Sequence, residues 1–398
     1  MLTLLLAVVV AVGGYLTVGP GRAAVTCTVS AKLVNSCRPW LGAWANTYAG
    51  HTGGLVNQIS DHENRLGRQV DWVHAYAEVG TNALSADMKT YATRANTTLL
   101  LAYKPGSPWS TAGGGNATVN AGIDSMANSI KSIAPKKIVL SVWHEPENDV
   151  TPSTTSCTGV GTASQQGSPA DYVQMWRNVY NRFNAAGVTN VIWGVNYMVY
   201  NGGTCIIKPL WPGNDIVDWV FADPYVNGTE NRNTFTTRMD FVYDYFSNNS
   251  DATHDFASKP WGFAEWGVQQ MAQPQAYAIY DEARQDLISN RYPKFKAYTI
   301  FDAASGPKGG GAVGKADDGT LDPVEQQHYN GFANDPRFTD AFYAGAAKVG
   351  DLNSDGIVNT LDLSILLTNW GAASATADLN HDGKVNVFDL SILLANWG

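Results

Sequence analysis

Glu145 stands in Val142-Trp143-His144-Glu145-Pro146-Glu147-Asn148, directly after the apolar run Lys137-Ile138-Val139-Leu140, which reads as a short buried strand. A second glutamate, Glu265, ends a similar run in Lys259-Pro260-Trp261-Gly262-Phe263-Ala264-Glu265-Trp266-Gly267. The two carboxylates are 120 residues apart in sequence, yet they face one another if both strands end on the rim of one barrel. Close carboxylates push their pKa values apart, so one keeps a proton while the other is ionised. That is the equipment for displacement at a glycosidic carbon: an acid for the leaving oxygen and a carboxylate that attacks. A separation of about 5–5.5 Å predicts retention through a covalent intermediate. The stretch His144-Glu145-Pro146-Glu147-Asn148 is not a zinc-protease helix, because the second His is missing and Pro146 breaks the helix.

Such a pair has to be held by elements that alternate. Strand signals fall at 40–44, 69–76, 98–103, 137–144, 190–196, 217–222, 261–264 and 295–301. Helical periodicity falls between them at 55–65, 86–95, 119–133, 170–186, 238–246 and 274–289, with a last helix near 335–346. Eight strand-then-helix units predict an α/β fold, a (β/α)8 TIM barrel over residues 25–347. An open doubly wound sheet is the runner-up, and it lacks the Gly-rich phosphate loop expected after its first strand.

Lys and Arg (26) against Asp and Glu (35) give a net charge of −9 with no basic tract, which argues against nucleic acid as a partner. Residues 1–24, apolar and then broken by Gly and Pro, read as a secretory signal peptide. The expectation is a secreted, extracellular protein with no membrane span in the mature chain. An even count of four cysteines in an exported chain predicts two disulfides. Of three connectivities, Cys27–Cys37 with Cys157–Cys205 is preferred, and the absence of C-x-x-C spacing argues against zinc.

The tail repeats itself at an offset of 27 residues. Asp351, Asn353, Asp355, Asn359 and Asp362 recur as Asp378, Asn380, Asp382, Asn386 and Asp389, with Gly356 and Gly383 at the sixth position of each loop. Oxygen side chains at positions 1, 3, 5, 9 and 12 with Gly at 6 describe an EF-hand-type loop, so two Ca2+ are expected. Position 12 is Asp, a shorter ligand than the usual Glu. This duplication resembles a dockerin over 349–398, a small all-α calcium-binding module that docks on cohesin domains. The resemblance implies a cohesin-bearing scaffold as partner, read partly by Thr360-Leu361 and Val387-Phe388.

His144-Glu145 after the fourth strand, Trp211-Pro-Gly-Asn-Asp215-Ile-Val-Asp218-Trp219 before the sixth, Asp223-Pro224-Tyr225 at its end and Ala264-Glu265-Trp266-Gly267 together resemble glycoside hydrolase family 26. That resemblance implies Glu145 as acid/base, Glu265 as nucleophile, Tyr225 as a hydrogen-bond donor to it, and His144 as the residue orienting sugar or acid. It implies a secreted retaining endo-β-glycanase without a catalytic cofactor. The polysaccharide is β-1,4-mannan by preference, with β-1,3/1,4-glucan or xylan, or a non-catalytic carbohydrate-binding barrel, as alternatives. Mannanases of the family follow His-Glu with Met-Asn-Gly, where this chain has Pro146-Glu147-Asn148. His74 and Glu78 after the second strand, and Asp302, are expected either to line the sugar cleft or to form local ion pairs. Phe301 stands where strand eight often ends in a platform Trp. Trp44, Trp109, Trp143, Trp211 and Trp266 have rings suited to sugar faces, about half of them being expected in packing.

Overall fold

The computed structural model describes residues 27–46, 53–303, 313, 322–339, 349–352, 358–374, 377–380 and 382–397. The expected signal segment and the ligand candidates Asn353 and Asp355 lie outside these residues. The strands are β1 (Trp40–Ala45), β2 (Trp72–Ala77), β3 (Thr98–Tyr103), β4 (Ile138–Val142), β5 (Val191–Tyr197), β6 (Trp219–Ala222), β7 (Tyr225–Asn227), β8 (Trp261–Phe263), β9 (Gly267–Gln269) and β10 (Phe295–Asp302). Eight of them close a parallel barrel in the order β1-β10-β8-β6-β5-β4-β3-β2. The two short strands β7 and β9, which the sequence pattern did not reveal, pair with each other beyond the ends of β6 and β8, with Tyr225 opposite Gly267.

Both faces of a barrel strand are covered, so these segments read as continuous apolar runs, and all five residues of β4 are buried. The interior is filled by Trp72, Leu100, Val139, Ile192, Trp219, Phe221, Ala264 and Ala297. Gly194 makes room for them, since a Cβ there would lie 2.6 Å from the Phe221 ring. The disulfide loop Cys27–Cys37 covers the end of the barrel at which the strands begin. Leu33, Val34 and Trp40 pack on the interior cluster, and Trp219 Nε1 donates to the Lys32 carbonyl at 2.6 Å.

The outer layer comprises α1 (Leu55–Leu66), α2 (Ala86–Thr93), α3 (Ala117–Lys131), α4 (Pro169–Ala185), α5 (Thr204–Ile207), α6 (Phe235–Asn248), α7 (Gln275–Ile288) and α8 (Pro323–Ala333). Local chemistry fixes their starts. Ser85 and Asn116 cap α2 and α3, and Ser168 forms a capping box with Asp171 ahead of a Pro at the first turn of α4. A helix that the sequence pattern did not reveal, α8, is capped by Asp322 with Pro323 at its first turn, and Asp335-Pro336 then opens a short 3-10 turn, Pro336–Phe338. Most of the helix expected near 335–346 lies outside the described residues. The second disulfide is Cys157–Cys205, so both preferred pairings are present, and it ties the loop after β4 to α5.

Asp302 does not line the cleft. It is buried at the end of β10, where it accepts from His62 Nδ1 (2.7 Å), Arg65 Nη2 (2.6 Å) and Val313 N (3.0 Å). His62 Nε2 in turn meets the Tyr329 hydroxyl at 3.2 Å, so the network pins α1 and α8 to the last strand. Its partners hold the Asp302 carboxyl below the usual range despite burial. Asp302→Ala leaves the buried His62 ring without its Nδ1 partner and removes one of the two carboxylates that hold Arg65, and about 3 kcal/mol of stability should be lost. Urea unfolding checks this, the midpoint falling at an unchanged m-value.

The tail is a separate small core. Helices α9 (Thr360–Thr368) and α10 (Val387–Ala395) bury Val358, Leu366, Ala377, Val385 and Leu393 between them and their loops.

Candidate active site

The chain leaves β4 through two residues in the left-handed region, Trp143 (φ 59°) and Glu145 (φ 51°). Non-glycine residues enter that region at a cost of order 1–3 kcal/mol and stay only where their surroundings hold them. Here the backbone N–H of Trp143 donates to Tyr103 O (2.9 Å) and that of Glu145 to Asn196 O (3.0 Å). The Trp143 indole donates to Asp149 at 2.7 Å, and Asp149 is itself fixed by the Ser164 backbone and hydroxyl. The turn is over-determined, and it directs the Glu145 carboxyl toward the barrel mouth.

Glu265 reaches the same point from the end of β8. Its backbone N–H donates to Asp223 Oδ1 (2.9 Å), while Asp223 Oδ2 accepts from Asn196 Nδ2 (3.0 Å). Asn196, the residue whose carbonyl holds Glu145, therefore also braces the support of Glu265. One carboxylate oxygen from each of Glu145, Asp223 and Glu265 lies within 4.8 Å of the others. Tyr225 donates to Glu265 Oε2 at 2.6 Å and Tyr76 to Oε1. Both phenols are pushed to high pKa by burial and then by the Glu265 charge, so they remain donors.

The two glutamates differ in their surroundings. Glu145 is raised well above the usual carboxyl range by burial, then by the negative charge of Glu265, Glu147 and Asp149, with Lys104 opposing. Glu265 is also raised by burial, but the Tyr225 and Tyr76 hydroxyls oppose that shift by stabilising its charge. The arrangement therefore favours a proton on Glu145 and the charge on Glu265. Asp223 is raised by burial and then by the negative charge of Glu265 and Glu145, with the Asn196 amide and the Glu265 backbone N–H opposing.

His144 and His74 are both brought down to about 3, principally by burial, and stand neutral. His144 faces the Tyr76 ring at 5.1 Å between centroids. His74 is buried beneath Tyr76, 4.5 Å ring to ring, and supports that residue instead of lining the cleft. Phe301 is half-buried at the mouth, stacked on Trp44 at 4.3 Å and edge-on to Tyr225. Trp266 is corrected: it is buried among Phe235, Tyr280 and Phe332 and presents no face to a ligand. Trp109, Trp143 and Trp211 are buried too, which leaves Trp44 as the half-exposed ring of the five. Glu78 pairs with Lys104 at 3.0 Å on the edge of a cleft of about 400 Å³ that also touches Trp143, His144, Glu145 and Gln166. Tyr76 and Asp223 were not singled out from sequence as site residues. Tyr76 was within reach, because it shares the inward face of β2 with His74 at a spacing of two.

The donor set of the tail fits a hard cation. In the second loop Asp378, Asn380, Asp382, Asn386 and Asp389 supply the oxygens, and Gly383 (φ 90°) makes the turn. Backbone N–H groups of Asp382 and Gly383 fold back on Asp378 at 3.1 and 2.7 Å. Asp362 and Asp389, at position 12 of the two loops, are buried and serve as capping-box residues of α9 and α10.

A closed (β/α)8 barrel with paired carboxylates at its mouth, followed by a duplicated calcium-loop module, is the class these features define. Residues 349–396 match the family profile of the dockerin type I domain, and this segment is a type I dockerin. Endoglucanase H of Acetivibrio thermocellus is 27% identical over 191 residues, 48% of this chain; the match spans only 20% of that relative's length. The GH26 β-mannanase BoMan26A of Bacteroides ovatus superposes with a TM-score of 0.51 at 16% identity, over 76% of this chain and 90% of that one. The GH26 domain of the endo-β-mannanase/endo-β-glucanase PbGH26-GH5A of Prevotella bryantii gives 0.49 at 15%, over 76% and 90%. These relatives and neighbours are glycoside hydrolases, and the likeness to BoMan26A agrees with the barrel fold described above.

Proposed function

We propose that the barrel is a retaining glycoside hydrolase acting on a β-linked polysaccharide, with Glu145 as acid/base and Glu265 as nucleophile. The observation that carries this reading is the approach of the two carboxyls within 4.8 Å while only Glu265 receives two phenol donors. That separation suits double displacement and leaves no room for the water an inverting pair needs. Glu145 gives its proton to the glycosidic oxygen as the Glu265 carboxylate attacks the anomeric carbon, releasing the alcohol and forming an ester. Glu145, now ionised, takes a proton from water, whose oxygen displaces Glu265 and restores both residues. The Trp44–Phe301 stack offers a face for a pyranose ring.

β-1,4-Mannan is the preferred substrate, with a β-glucan as the alternative, since the Acetivibrio relative is named an endoglucanase. The dockerin would tether the secreted enzyme, through calcium-loaded loops, to a cohesin-bearing scaffold outside the cell. Leu361, Val387 and Phe388, exposed by 59%, 59% and 64%, are the side chains offered to that partner. No helix among the described residues is long and apolar enough to cross a membrane.

A panel of mannan, glucomannan, mixed-linkage glucan and xylan with product sizing tests the activity. Labelling by a 2-deoxy-2-fluoro glycoside tests the nucleophile, the expected adduct lying on the peptide that contains Glu265. An adduct on another carboxylate would reassign the mechanism. Tyr225→Phe tests the electrostatics. Attack requires ionised Glu265, so its pKa sets the acidic limb of the pH profile. Loss of a charge-assisted donor raises that pKa, and the limb should move up by about one pH unit. An unmoved limb would show that Tyr225 does not tune Glu265.

A further inference from the structure

Glu147, two residues beyond Glu145, is a buried carboxylate beside the site that the mechanism above does not use. It sits on the 3-10 turn Pro146–Asn148 and is wholly buried. Its Oε1 accepts from the backbone N–H of Val199 at 3.2 Å, and its Oε2 has no partner. Four tyrosines lie within reach of its charge, Tyr172 from α4, Tyr197 from β5, Tyr200 from the loop after β5 and Tyr245 from α6. None serves it as a donor, because their hydroxyls are committed to the carbonyls of Val142, Leu210, Gly159 and Thr204 respectively. A buried, half-satisfied carboxyl is destabilising relative to an apolar residue, so packing gives no reason for it.

The peptide it holds gives one. Val199 is β-branched and left-handed (φ 51°), a conformation that needs an external clamp. Glu147 grips its N–H while the buried Arg238 of α6 grips its carbonyl at 2.9 Å. The same guanidinium donates to Met198 O (3.3 Å) and to Tyr225 O (3.2 Å), and the Tyr225 hydroxyl holds Glu265. A continuous path thus runs from the Glu145 turn through Glu147, Val199, Arg238 and Tyr225 to Glu265. One left-handed residue, Val199, stands between Glu147 and Arg238, its N–H on the one and its carbonyl on the other.

We propose that Glu147 is a positioning residue, clamping the Val199 peptide against Arg238 to set the spacing of the two rim carboxylates, and that its negative charge keeps the proton on Glu145. This rests on the reading of Glu145 as the acid. The sign is fixed by charge: an ionised Glu147 opposes ionisation of Glu145 and so extends activity to higher pH. Burial raises Glu147 to about 7, opposed by its own backbone and that of Val199 and Met198 and aided by Asp149, so the charge is present on the alkaline side. Glu145 and Asp149 on its own turn, Arg238 across the peptide and the four neutral tyrosines are the titratable groups around it.

The test is the pH profile of kcat/KM for the full chain on its polysaccharide, with Glu147→Gln and Glu147→Asp. Glu147→Gln removes the charge at nearly constant shape, and the alkaline limb should fall by about one pH unit. Glu147→Asp keeps the charge, and its limb should return toward the wild-type position even if kcat drops with the loosened clamp. A Glu147→Gln limb at the wild-type position, with or without lost activity, overturns the proposal. Should Glu147→Gln not fold, titration of the wild type with carboxyl-13C glutamate decides, eight glutamates keeping the spectrum tractable. Glu145 should then show a second inflection at the titration of Glu147, and a single inflection overturns the coupling. Failure of the wild type on every glycan would instead remove the hydrolase reading itself.

Discussion

Glu145→Ala is expected to lower kcat/KM on unactivated polysaccharide by about 10²–10⁴-fold, the usual contribution of a positioned general acid. The loss should depend on the leaving group. A dinitrophenolate departs without a proton, so the first step on an aryl glycoside survives while the second, deprived of its base, becomes limiting. A burst of phenolate should appear, followed by slow turnover that azide accelerates by attacking the glycosyl-enzyme directly. No neighbour is equipped to take over the proton. His144 is adjacent, but burial brings it down to about 3, so it carries none at neutral pH. Glu147 is sealed beneath the turn. Equal losses on polysaccharide and aryl glycoside, with no azide effect, would remove Glu145 from the acid/base role.

The barrel was legible because most of its strands are apolar on both faces and most intervening segments have helical period, a pattern that barrel burial imposes residue by residue. The placement of Glu145 and Glu265 at strand ends followed from the same pattern. What stayed hidden was set by contacts between distant segments. Gln69 was expected in β2, but the strand begins at Trp72, because Asp71 is taken up by Arg38 and the Leu41 backbone. Trp266 looked like a sugar platform beside Glu265, yet alternation past the strand end turns it outward into the helix layer. Nothing local distinguishes it from Trp44, whose ring reaches the mouth from a strand of similar composition. The clamp of Glu147 and Arg238 on Val199 joins three elements spread over 91 residues, so no window of sequence contains it.

Calcium removal should unfold the C-terminal module while leaving the barrel folded. The reasoning starts from size. Residues 349–398 have five fully buried apolar side chains among those described, too few to offset the chain entropy of a module this small without a cross-link or a metal. They also carry six Asp against one Lys, and the second loop folds Asp378, Asp382 and Asp389 onto one turn. Asp362 and Asp389 are each buried at the start of a helix and tie it to the loop before it, Asp362 through Leu352 N (2.8 Å) and Asp389 through Leu379 N (2.7 Å). A cation held by the loop therefore stabilises the helix that follows, and its loss releases both at once. At a thousandfold excess of Ca2+ over its dissociation constant, each occupied loop adds about 4 kcal/mol. Calorimetry of the full chain should then show two transitions, with only the smaller one abolished by EDTA and restored by Ca2+. Asp389→Ala should halve the calcium stoichiometry measured by titration calorimetry, because the repeated loop centred on Asp362 keeps its own ligands. A module whose helicity and melting ignore chelation would mean that the acidic loops are held by their own hydrogen bonds, such as those from Asp382 and Gly383 to Asp378, and not by a metal.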